Sequence, residues 1–380
     1  MGLRITRAEG PLTDRWRTVP VESRGATRIG ISFRPLQAEG LGLDPSATLT
    51  ALLEHSFQVV RLAALWTRME PAPDVFDPSH LDWQVESAER AGKQVIIAVG
   101  AVKNFGYPEF FVPAHHLPQP LPEGSLVGEA SHPGLFAAAV EFVGRVVERY
   151  AGHESVVAWQ VEHEAVDPLG VEHSWRLTTG FVRGEMAAVK RLDPERPILL
   201  NGFLPMSTPV AAQQRWRTRD QGDSLSLAEA AAEIVGVDFY PCHALGAVGG
   251  ITAYMNARGD AWPERARRVV ERAAANGRRL MISEGQAEPW EAITTPPSPA
   301  GRAMASCPPE RVIENYNRCL RLAREARGGL DAYLFWGAEY WHLRQQGGDG
   351  SYMGAFDRIL EEGSGLPIRR FAPPSTQTGP

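Results

Sequence analysis

The sequence predicts an α/β fold, a single-domain (β/α)8 TIM barrel with long loops after its third and seventh strands. Three observations predict it. Eight short β-rich runs alternate with longer segments of helical periodicity, the pattern of a parallel sheet with crossover helices. Eight strands are more than an open doubly wound sheet usually needs. No Gly-x-Gly-x-x-Gly follows a strand, which weakens a dinucleotide-binding sheet.

Residues 1–26 read as an N-terminal extension, 27–365 as the barrel and 366–380 as a tail, with Pro373 to Pro380 expected to be disordered. The strand runs are Arg28 to Phe33, Gln58 to Ala63, Gln94 to Gly100, Val156 to Val161, Pro197 to Asn201, Ile234 to Tyr240, Arg279 to Ser283 and Ala332 to Trp336. Helices are expected at Pro45 to His55, Ser79 to Ala91, Pro133 to Tyr150, Glu172 to Leu192, Leu225 to Glu233, Pro263 to Asn276, Pro309 to Ala326 and near Ala355. Asp77-Pro78-Ser79, His132-Pro133 and Trp262-Pro263 place proline at or near a first turn, while Gly92, Gly152, Gly277 and Gly328 punctuate ends. Val312, Ile313, Tyr316, Leu320 and Ala323 form a one-sided apolar stripe suited to covering a barrel. Ala101 to Glu129, rich in Pro and His, and Glu288 to Pro308, rich in Pro and Ser, break the rhythm. Long loops after strands sit where barrel enzymes build their sites.

Composition excludes several classes. A chain of 380 residues, 43% hydrophobic and 22% charged, can bury a core rather than stay disordered. A net charge of -6 argues against nucleic acid as a partner, and Arg265, Arg267, Arg268 and Arg272 fall at helical spacing beside Glu264 and Glu271, as a solvated helix face would. Cys242, Cys307 and Cys319 form no Cys-x-x-Cys pair, so neither a disulfide framework nor a zinc site is expected. No apolar stretch of signal-peptide length opens the sequence, and no run approaches roughly 18 apolar residues. The expectation is a cytoplasmic protein without a membrane partner.

Two strand ends carry carboxylates. Trp159-Gln160-Val161-Glu162-His163-Glu164 closes the fourth run, and Leu280-Met281-Ile282-Ser283-Glu284-Gly285 closes the seventh. A carboxylate ending an apolar strand is costly unless a cavity solvates it or a partner pairs with it. Either glutamate alone reads as the point where a strand emerges into water. Together, at the ends of two strands of one barrel, they suit glycoside hydrolysis, in which one carboxyl protonates the leaving oxygen and the other attacks the sugar or activates water.

Here the sequence resembles the clan A glycoside hydrolases, the retaining β-glycosidases on this barrel. Val60-Arg61-Leu62, Trp66, Glu70-Pro71, Phe76-Asp77 and Leu81-Asp82 look like the second strand and following helix of bacterial β-galactosidases, and Gly92-Lys93-Gln94-Val95-Ile96 and Tyr107-Pro108-Glu109-Phe110 continue the likeness. The resemblance implies that Glu164 is the general acid/base and Glu284 the nucleophile. It further implies that Arg61 holds Glu284 ionised, that Tyr240 hydrogen-bonds it, and that Trp336 forms a sugar platform. Trp66, Phe105, Tyr107, Phe110, Phe111, Trp290, Tyr340 and Trp341 are further candidates to line a sugar cleft.

One departure stands out: His163-Glu164-Ala165 replaces the clan's usual Asn-Glu-Pro, so an imidazole stands where an amide contacts the sugar's 2-hydroxyl. Glu162 competes as the acid, because strand alternation puts it on the same side as Glu164 and within reach of Arg61. Glu164 is preferred for lying further toward the C-terminal end of the barrel. The expected function is cleavage of β-glycosidic bonds in small oligosaccharides or glycosides by double displacement, with carbohydrate as partner and no cofactor or metal. Two rivals remain: a catalytically impaired carbohydrate-binding barrel, and a metal-dependent hydrolase using His115, His116, His163, Cys242, His243 and carboxylates as ligands, whose spacing supports it poorly.

Overall fold

The computed structural model describes residues 2–168, 173–248, 251–256, 261–293, 300–326 and 329–364. Gly328 and the predicted tail lie outside the described residues. Eight strands close the barrel: Arg28–Ser32, Val59–Ala63, Gln94–Ala98, Val156–Gln160, Ile198–Phe203, Ile234–Phe239, Arg279–Gln286 and Ala332–Trp336. Each runs parallel to the next, and the eighth pairs with the first. They fall on the eight predicted runs because strands buried on both faces need near-continuous apolar residues.

Side-chain alternation then sorts each strand. Val59, Ile96, Ala158, Leu199, Ile234, Met281, Ala332 and Leu334 form a separate apolar cluster, the floor of the barrel interior. Their neighbours in sequence belong to the larger core between strands and helices. On the first strand Gly30 takes an inward position. A Cβ there would sit 2.2 Å from the Val59 carbonyl oxygen and 2.6 Å from Leu334 Cδ2, so only glycine lets these strands approach.

The predicted helices form, among them Ser79–Arg90, Pro133–Tyr150 and Pro309–Glu325, the last burying its whole predicted stripe. One start is corrected. The helix expected from Glu172 begins at Thr179, because the Thr178 side chain accepts from Phe181 N as an N-cap and Arg176–Leu177 pairs with Leu126–Val127 as a short strand. Helices Pro35–Gly40, Trp66–Met69, Thr208–Arg217 and Ala338–Gln346 were not anticipated. Nor was the shape of the N-terminal extension. Gly2–Arg7 pairs with Ile251–Asn256, which in turn pairs with Cys242–Val248, and Glu9–Pro11 pairs with Arg302–Met304. The extension therefore straps the loops that follow the sixth and seventh strands. The three cysteines are buried and free. Among the described residues no helix is long and apolar enough to cross a membrane.

Candidate active site

Above the apolar floor, the inward face of the barrel turns polar. Val59 is followed two residues later by Arg61, Ala158 by Gln160, Leu199 by Asn201 and Met281 by Ser283. These side chains bond around the barrel. Arg61 donates to Ser32 Oγ and to Gln160 Oε1, each at 3.0 Å, and Gln160 Nε2 donates to Asn201 Oδ1 at 3.2 Å. Asn201 Nδ2 donates to Asp238 Oδ2 and Ser283 Oγ to Asp238 Oδ1, both at 2.7 Å. A continuous chain of bonds of this kind holds each member in one orientation.

Glu284 sits on this layer through a local irregularity. Simple alternation would send Ser283 and Glu284 to opposite faces, but the register of the seventh strand against its neighbours shifts on both sides, before Glu284 against the sixth and between Ile282 and Gly285 against the eighth. Such a bulge re-aims a side chain, and here both residues join the interior network. Arg61 Nη2 lies 2.6 Å and His163 Nε2 2.9 Å from Glu284 Oε1, while the Tyr240 hydroxyl donates to Oε2 at 2.5 Å. Burial works to raise the pKa of Glu284, but His163 and Arg61, with the Tyr240 bond, outweigh it and hold the carboxyl at about 2.

Glu164 is in the opposite condition. The fourth strand ends at Gln160, and Glu162 and Glu164 both take left-handed backbone, φ 58° and 44°. Lys103 Nζ anchors this turn by donating to the carbonyls of Glu164 at 2.8 Å and Asp167 at 3.1 Å. Burial chiefly, then the charges of Asp238, Asp167 and Glu284, push Glu164 well above the ordinary carboxyl range against the pull of Lys103. Asp238, under the same burial and the charge of Glu284, rises to about 6. The site thus drives two neighbouring carboxyls apart, Glu284 downward and Glu164 upward.

Three expectations are corrected. Alternation does not carry past Gln160, because the left-handed turn intervenes, and the Glu162 carboxylate turns away to accept from Val102 N at 2.9 Å and Lys103 N at 2.5 Å. Its further neighbour is Glu185 on helix Thr179–Leu192, and Arg61 is committed to Glu284 and Gln160. Gly100 admits this turn, since a Cβ would lie 2.1 Å from Glu162 N. Trp66 is fully buried, stacked on Phe142 at 5.4 Å and bonded through Nε1 to Glu70, so it packs the loop rather than facing a cleft. Tyr340 and Trp341 are likewise core, against Tyr352 and Phe356.

Trp336 ends the eighth strand beside the site, with Phe105 and Tyr240 edge-on at 6.1 and 6.4 Å. Its ring packs under the Arg34 guanidinium, 4.3 Å from the centroid. Arg34 in turn forks onto Glu288, at 2.7 and 2.9 Å, and Glu339, at 2.6 and 3.0 Å. Sequence reading missed Arg34, Lys103, Asn201 and Asp238. The last two carried a signal, a lone polar residue inside an otherwise apolar strand.

The residues of the metal-hydrolase rival do not form one cluster. His115 and His116 gather at Glu70, whereas His163 lies with Glu164 and Asp238, ligand atoms within 4.8 Å of one another. In this second set His163 Nε2 lies 2.9 Å from Glu284 Oε1, and both Asp238 oxygens accept bonds, from Asn201 and Ser283. Cys242 is buried, and the side chain of His243 lies outside the described residues.

A family model described as beta-galactosidase matches residues 47–181, a stretch that includes Arg61 and Glu164 but not Glu284. No curated protein matches the sequence. The fold is similar to a GH10 endoxylanase from a sugarcane soil metagenome, with TM-score 0.55, 14% identity, and coverage of 88% of this chain and 97% of that one. It is also similar to GH5_18 from Streptomyces cattleya in complex with GlcNAc, with TM-score 0.54, 14% identity and coverage of 89% and 81%. Xylanase 10B from Thermotoga petrophila RKU-1, in complex with xylobiose, gives TM-score 0.52, 14% identity and coverage of 90% and 98%. The beta-galactosidase segment and the shared barrel agree with the resemblance to the clan A (β/α)8 glycoside hydrolases read from the sequence.

Proposed function

We propose that the protein is a retaining glycoside hydrolase acting on β-glycosidic bonds of small oligosaccharides or glycosides in the cytoplasm. The observation that carries this reading is the opposite shift of two carboxyls at one end of the barrel: His163 and Arg61 hold Glu284 down at about 2, and burial pushes Glu164 well above its ordinary range. Paired acids driven apart in this way mark acid and nucleophile roles. Glu284 attacks the anomeric carbon while Glu164 gives its proton to the departing glycosidic oxygen. Glu164, now ionised, takes a proton from water, whose oxygen displaces Glu284 and releases the sugar with its configuration kept. Arg61 and Tyr240 position the nucleophile, and Trp336 offers an apolar ring to the sugar.

A panel of activated aryl 2-fluoroglycosides tests the reading. Intact-mass and peptide analysis should find one glycosyl group on Glu284, absent in Glu284→Gln, and the first product seen by NMR should keep the substrate's β configuration. Glu164→Gln should lose on the order of 10²–10⁴ in kcat on substrates with poor leaving groups. An inverted first product sinks the mechanism. A second reading, a barrel that binds sugars without turning them over, is favoured by the His163 bond, a third one on Glu284 that lowers its nucleophilicity. Binding of glycosides without label or turnover across the panel would select it.

A further inference from the structure

Apart from the carboxylate pair, two loops at the same end of the barrel bring three ligand-type side chains together. Glu70 follows the short helix Trp66–Met69 after the second strand, and His115 and His116 lie in the long loop after the third. The two histidines sit in a turn closed by His116 N donating to the Pro113 carbonyl, so adjacent side chains converge instead of pointing apart. Both aim Nε2 at one oxygen: His115 lies 2.8 Å and His116 2.6 Å from Glu70 Oε1, with the rings 4.4 Å apart. All three candidate ligand atoms lie within 4.8 Å of one another.

The surroundings fix this arrangement. Trp66 Nε1 donates to the other Glu70 oxygen at 2.8 Å, which orients the carboxylate, and the indole packs on the His116 ring at 4.8 Å. An outer partner of this type is what holds a metal-binding group in place. Glu70 is 9% exposed while the imidazoles keep 22% and 25%, so the cluster is walled on one side and open to water on the other. As a plain hydrogen-bonded group it demands that both imidazoles donate to the same oxygen, and if both carry protons their charges repel at this separation.

We propose that Glu70, His115 and His116 bind one divalent transition-metal ion of the zinc class, with water as the remaining ligand, and that the ion clips the loop after the third strand onto the loop after the second. Two neutral imidazole nitrogens and a carboxylate oxygen form a set that takes zinc, whereas calcium and magnesium require oxygen ligands. A tetrahedron with bonds of roughly 2.0–2.1 Å has edges of roughly 3.3 Å, so the two nitrogen–oxygen separations need to widen only by roughly 0.5–0.7 Å. The clipped loop carries Glu109, whose charge acts on His163, so the ion steadies a wall of the reaction centre without entering it. The proposal does not rest on the glycosidase reading.

The test uses the full chain, stripped with a chelator, dialysed and titrated with Co2+ and then Zn2+. The expected result is one equivalent of Co2+ with the visible bands of a four- or five-coordinate ion, quenched by Zn2+, and a Zn2+-dependent rise in Tm. Glu70→Gln, His115→Ala and His116→Ala should each weaken binding by at least about tenfold. Glu164→Gln should leave it unchanged, which separates this cluster from the one at His163. Absence of saturable one-equivalent binding, or binding that persists in His115→Ala and His116→Ala, overturns the proposal in favour of a hydrogen-bonded staple. His115 is partly exposed and keeps the test sound if the His116 variant folds poorly.

Discussion

His163 changes the charge at Glu284, the proposed nucleophile, not only its hydrogen bonding. Burial works to strip its proton, but Glu284 first, then Asp238 and Glu109, retain it, so its pKa stands above the ordinary imidazole value. The raised pKa carries the charged form of His163 to higher pH beside Arg61, and these two groups keep the Glu284 carboxyl at about 2. His163→Asn keeps a donor and removes a charge. With that charge gone the pKa of Glu284 rises, and the acid limb of kcat/KM should move upward by roughly one pH unit or more. The same variant changes stability in a defined window. A group whose folded pKa is raised stabilises fully below its unfolded value of 6.5 and loses that contribution as pH rises through the folded value. Wild type should therefore lose denaturant resistance as pH rises past 6.5 and through the raised folded value, and His163→Asn should not. An acid limb and a pH–stability curve that both coincide with wild type would show that the imidazole acts as a neutral amide does.

At the scale of elements, Arg34 ties the end of the first strand to Glu288 after the seventh and to Glu339 on helix Ala338–Gln346, all three buried. Two carboxylates on one guanidinium leave no slack. Arg34→Met should cost about 3–5 kcal/mol in chemical denaturation, because it strands two buried acids, and should alter Trp336 fluorescence by removing its cation partner. Arg34→Lys, which keeps the charge but not the fork, should fall between; a loss under about 1 kcal/mol for Arg34→Met would mean that water replaces the fork. The contrast between this triad and the strands explains what was legible in the sequence. Buried parallel strands announce themselves as apolar runs, Glu164 and Glu284 stood out as charges at their ends, and Arg61 came from the resemblance alone. Asn201 and Asp238 were readable in the same way, as single polar interruptions in Pro197 to Asn201 and Ile234 to Tyr240. Arg34 was not, since its partners lie 254 and 305 residues away and Arg34-Pro35 resembles a solvated turn. Glu162 misled because alternation assumes extended backbone, and nothing in its residue type announces a left-handed turn.

The whole molecule is a barrel whose upper rim is held from outside by its own N-terminal segment. Gly2–Arg7 forms the edge of the three-stranded sheet with Ile251–Asn256 and Cys242–Val248, and Glu9–Pro11 reaches across to Arg302–Met304 in the loop after the seventh strand. That sheet begins two residues beyond Tyr240. Gln286 on the seventh strand grips its start, accepting from Cys242 N at 3.2 Å and donating to the Cys242 carbonyl at 3.0 Å. Loosening the strap should therefore reach the Tyr240 bond on Glu284 while leaving the barrel strands paired. Removal of residues 2–11 should keep the far-UV circular dichroism of the barrel, lower Tm by several degrees, and reduce kcat/KM on the order of 10–100-fold through misplacement of Glu284, the proposed nucleophile. It should also bare Ile251–Asn256 as a new edge bearing the exposed Ile251, so the shortened protein should self-associate in size-exclusion chromatography as its concentration rises. Full activity with an unchanged Tm would show that the strap covers the rim without supporting it.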